Sequence, residues 1–151
     1  MTSLALLANV GSRLALVSMF PLSALDKIVN WRASLDQTKQ AKMPGAVPML
    51  VAAIVVEAVT PVMIVTGLAD RLGAFLLAGF CVVTAFLYHP FWRTGGFWRP
   101  GNPSNEQYWQ FFKNWCIVGG LMLVVLGVGA HSADPLWVVQ HPFSSSLLGH
   151  D

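Results

Sequence analysis

Glu57 is the residue of this chain best placed to do chemistry, because it interrupts an apolar run extending from residue 48 to 68. About nine residues into a helix, it lies roughly 13 Å below the surface from which that helix starts, near mid-hydrocarbon. A carboxyl group at that depth needs a partner or a proton, and one that can take up and release a proton there is a candidate functional group. Pro61 follows four residues later; it lacks an N–H and crowds the carbonyl of Glu57, so a bend would leave that carbonyl free at the same place. The plainer reading makes Glu57 a packing staple paired to a neighbouring helix.

His89 is the second candidate. It closes a further apolar run, residues 71 to 89, with Tyr88 before it and Arg93 four residues on. An imidazole in that position can donate or accept a proton beside a carbonyl-bearing ligand such as a quinone; the plainer alternative is an interfacial histidine bonded to a loop carbonyl. Lys27 ends the first apolar stretch, and Lys113 and Asn114 open the last. Glu57 and His89 are therefore the expected catalytic pair, with Lys27, Tyr88, Arg93, Lys113 and Asn114 as the expected quinone or ligand pocket.

The elements that must position these groups follow from composition. The 151 residues are 55% hydrophobic and 11% charged, far below the roughly 25% charge of soluble domains. A net charge of +2 on scattered Lys and Arg excludes nucleic acid as a partner. Runs 48–68, 71–89 and 111–130 each suffice to cross hydrocarbon about 30 Å thick, and a fourth span is placed between Arg13 and Trp31, with Arg13 and Lys27 snorkelling to opposite interfaces. The expected fold is all-α: a membrane-spanning four-helix bundle over residues 1–134, with a tail at 135–151. The tail reads either as a loosely ordered terminus or as a docking segment.

The connections differ in character. Helices two and three are separated by Ala69, Asp70 and Arg71 only, a tight hairpin. Between helices one and two, Trp31, Leu35 and Thr38 recur at helical spacing among basic residues, which predicts a short helix lying in the interface. Residues 90–110 are crowded with aromatic side chains, and Trp92, Trp98, Trp109 and, in the tail, Trp137 are the expected partner-binding residues. The first and third connections share one membrane face, so Lys27, Glu57, His89, Lys113 and Asn114 share one leaflet, while the opposite face is nearly bare. Basic residues concentrate on the long-loop face, which the positive-inside rule assigns to the cytoplasm.

Other chemistries fit less well. A haem within one protomer is not expected, since His89 and His131 end antiparallel helices about 30 Å apart. No metal is expected either. Cys81 and Cys116 read as small core residues at similar depths, whose geometry also allows a disulfide. A transporter is disfavoured by the single deep charge and the lack of matched broken helices.

Six segments in register resemble the DoxX family of small bacterial membrane proteins, over most of residues 13 to 134. Arg13 and Lys27 frame helix one; MPG at 43–45 precedes helix two; VVEAVTPVMIVTGLADRLGA at 55–74 carries Glu57, Gly67 and Arg71. TAFLYHPFW at 84–92, FFKNWCIVGGLML at 111–123 and GVGAHSAD at 127–134 complete the series. Pro21 and Ser23 to Leu25 depart from the family's small-residue pair before the lysine, and the proline-rich 98–105 has no counterpart. The resemblance implies a multi-pass protein of the bacterial inner membrane with its N-terminus in the cytoplasm, opposite to the positive-inside assignment, so two orientations stand. It further implies redox context: a quinone-linked oxidoreductase subunit of a respiratory complex rather than a stand-alone enzyme, or else a non-catalytic anchor binding a larger membrane complex. The implied partners are lipid and either other membrane subunits or further copies of the chain.

Overall fold

The computed structural model describes residues 3–40, 45–93, 95–127, 140, 142 and 143. Six α-helices and one 3-10 turn account for the described elements, with no strand among them: α1 (Ser3–Val17), α2 (Met19–Val29), α3 (Trp31–Gln40), α4 (Ala46–Thr66), α5 (Asp70–Tyr88), the turn Phe91–Arg93, and α6 (Pro103–Val125). Among the described residues, three segments are long and apolar enough to cross a membrane: Leu6–Val29, Ala46–Thr66 and Asp70–Arg93. α6, with 23 residues, packs along α5 and completes the four-helix bundle.

The bundle is apolar outside as well as inside. On α4, Val47, Val51, Val55, Val59 and Val62 form an exposed stripe, while Leu50, Glu57, Thr60, Pro61 and Ile64 are buried. Water would penalise that stripe, whereas hydrocarbon accepts it. Without a hydrophobic drive between lipid-immersed helices, close packing holds them together. Gly73 of α5 lets α4 approach until a Cβ at that position would stand 2.9 Å from Met63 Cβ. At Gly120 of α6, an added Cβ would meet Leu16 of α1 at the same distance.

The first span is interrupted but continuous. Pro21 cannot donate to the carbonyl of Val17 and crowds it, so the helical hydrogen-bond ladder is interrupted at Ser18, whose backbone nevertheless stays helical (φ −56°, ψ −32°). The span expected between Arg13 and Trp31 is present as one crossing segment, Leu6–Val29, which starts earlier than expected and is divided at Ser18 into α1 and α2. The expected interfacial helix is present as α3, separated from α2 by Asn30 and packed against α4. The hairpin between α4 and α5 consists of Gly67, Leu68 and Ala69 rather than residues 69–71, because Gly67 takes the left-handed conformation that ends α4 (φ 77°). Asp70 and Arg71 instead open α5. α6 starts eight residues before the expected 111: Asn102 Oδ1 accepts from Ser104 N at 2.9 Å and Pro103 stands at the first helical position, two start signals that override the aromatic loop. Tyr108 and Trp109 are consequently helical.

Candidate functional site: a polar cavity in one leaflet

Lys27, near the end of α2, reaches down to Glu57 of α4. Its Nζ donates to Glu57 Oε2 at 2.8 Å, to Oε1 at 3.0 Å and to Ser23 Oγ at 2.6 Å, and Ser23 in turn donates to Glu57 Oε1 at 3.2 Å. Lys27 does not snorkel outward as expected; a buried carboxylate is a stronger attraction than the interface. Ser23 stood out in the sequence only as a departure from the family's pattern, although its i, i+4 spacing to Lys27 was a readable signal of this role.

The pair borders a cavity of about 810 Å³. Among the expected site residues, Lys27, Glu57, Tyr88, His89, Lys113 and Asn114 all line it. Arg93 does not: α5 ends at Tyr88 before Pro90, His89 leaves helical geometry, and Arg93 sits exposed in the 3-10 turn, so no i, i+4 relation to His89 exists. Trp109, expected to bind a partner, lines the cavity too. Thr84 and Gln110, not singled out from sequence, add polar atoms to a predominantly apolar wall. Cys81 and Cys116 also line it, both as free thiols; Cys81 is buried but Cys116 is exposed rather than a core residue.

Above the cavity the third connection folds onto α6 as an aromatic network. Trp92 packs edge-on against Phe91 and Phe111, and Trp98 tilts against Phe97 and Tyr108. Both tryptophans remain substantially exposed, as does Trp109. Trp137 and His131, with most of the tail, lie outside the described residues.

The opposite face is not bare. Arg13 Nη1 donates to Asp70 Oδ2 at 2.6 Å and to the Ile64 carbonyl at 2.8 Å, while its Nε donates to Asn9 Oδ1 at 2.8 Å. Arg71 Nε donates to the Val125 carbonyl at 2.6 Å. Arg13 therefore turns inward as Lys27 does, and the described residues include two buried carboxylates, Glu57 and Asp70, instead of one.

The DoxX family model matches residues 8–90. The chain is 29% identical over 126 residues to inner membrane protein YqjF of Escherichia coli, covering 83% of this chain and 88% of the relative. To inner membrane protein YphA of the same organism it is 30% identical over 126 residues, covering 82% and 85%. No solved structure matches. Three membrane-crossing segments and relatives of the inner membrane make this a multi-pass inner-membrane protein in contact with the lipid bilayer, and the chain belongs to the DoxX family.

Proposed function

We propose that this chain is a membrane subunit of a quinone-linked redox assembly, with the cavity beside Lys27 and Glu57 seating the quinone headgroup. The observation that carries the reading is the convergence of Glu57, His89, Tyr88, Lys113 and Asn114 on one predominantly apolar cavity. Its volume lies within the roughly 300–1,000 Å³ of small-molecule sites. A quinone offers two carbonyl oxygens that accept hydrogen bonds, and His89, Tyr88 and Lys113 carry donors suited to them. Reduction to the quinol takes two electrons, which a partner subunit would supply, and two protons, for which His89 and Glu57 are the candidate relays.

One observation favours a second reading. The three N–H groups of Lys27 are all engaged by Ser23 and Glu57, so the triad is internally satisfied, as expected of a staple in an anchor subunit. Turnover of a natively purified assembly separates the two. Under the first reading, Glu57→Gln combined with His89→Ala lowers quinone-dependent turnover about a hundredfold while partners still copurify. Unchanged turnover ends that reading and leaves the anchor.

A further inference from the structure

The two ends of the bundle close differently. At the short-loop end, α1 packs against α6, with Leu16 seated on Gly120. Beyond the interruption at Ser18, α2 leans away: no Cα of α2 comes within 8 Å of a Cα of α6. The part of the first span before Ser18 thus packs against α6, and the part after it does not. The wedge between α2 and α6 is the cavity, edged by Met19, Phe20 and Ser23 on one side and by Lys113, Cys116 and Ile117 on the other. Met19 and Cys116 are exposed, so the edges of the slit face the surroundings, which here are acyl chains. Glu57, Cys81 and Thr84 belong to the cavity wall contributed by α4 and α5.

Resting on the ligand reading above, we infer that the slit between α2 and α6 is a lateral portal, and that the ligand is a long-chain, membrane-dissolved molecule. Its polar headgroup passes between the helices toward Lys27, Glu57 and His89 while its tail stays in the slit and in the bilayer. A headgroup with no tail gains nothing from the slit. The apolar edge contributed by Met19 and Ile117 beside the buried Phe20 is matched to a hydrocarbon chain, and burial of its exposed part adds affinity in proportion to the apolar area covered.

Binding of radiolabelled quinones to the full chain in lipid nanodiscs tests this. The natural protein is expected to bind a decyl-tailed benzoquinone about tenfold more tightly than the tailless compound. Cys116→Trp, which fills the slit, should abolish that preference; Val55→Trp, on the exposed stripe of α4, should preserve it and controls for partition into lipid. A tail preference that survives Cys116→Trp overturns the portal. Should neither quinone bind the natural protein, the quinone reading fails, and a bimane on Cys116 still decides the portal. Quenching by nitroxides carried on lipid acyl chains supports an opening to the bilayer; quenching by aqueous iodide alone rejects it.

Discussion

Two ion pairs tie the first span to the rest of the bundle, and they are built for different duties. Arg13 and Asp70 are 7% and 0% exposed, and the guanidinium is further held by the Ile64 carbonyl and Asn9. Lys27 and Glu57 are 24% and 5% exposed and border a cavity. Arginine's planar fork suits the first site, where several fixed acceptors surround it, while a lysine's flexible stem suits the second, where the neighbourhood can change. The comparison teaches that buried charge in a bundle is not one signal. A pair enclosed by backbone holds helices, and a pair beside free volume can meet a ligand.

The largest expected effect comes from breaking the enclosed pair. Asp70→Ala leaves the Arg13 guanidinium without its carboxylate, and stability should fall by about 3–5 kcal/mol, read as loss of resistance to denaturing detergent. The contrast sharpens with charge-conserving exchanges. Arg13→Lys keeps the charge but cannot reach Asp70, Ile64 and Asn9 together, so it should cost about 1–2 kcal/mol. Lys27→Arg has room to adjust toward the cavity and should cost under about 0.5 kcal/mol. Equal losses for the two exchanges would erase the distinction between the sites.

Much of this was legible in the sequence, and the omissions have physical reasons. Apolar runs located α4 and α5, because hydrocarbon demands both length and apolarity. Helix parity alone brought Lys27, Glu57, His89, Lys113 and Asn114 into one leaflet, and the structure gathers all five around one cavity. Asp70 was passed over because an acidic residue beside Gly67 and Ala69 looks like a solvated turn. Its position on the same face as Arg13 was the available clue. Pro21 stood out only as a departure from the family's pattern, and its place in the first span shows only in how α1 and α2 pack. Asn102 and Pro103 announced the start of α6, but the surrounding aromatic density disguised it as interfacial loop. No sequence pattern gives the volume of the cavity, which depends on how far α2 departs from α6.

Photoaffinity labelling with an azido-quinone, followed by peptide mapping, tests the central claim most directly. Labels are expected on the cavity-lining parts of α2, α5 and α6, within residues 19–27, 80–89 and 109–117, and to decline with Glu57→Gln and His89→Ala. Labelling confined to the outer groove formed by Leu14, Pro21, Pro61 and Val62, unaffected by either substitution, would contradict a ligand site at the Lys27–Glu57 pair.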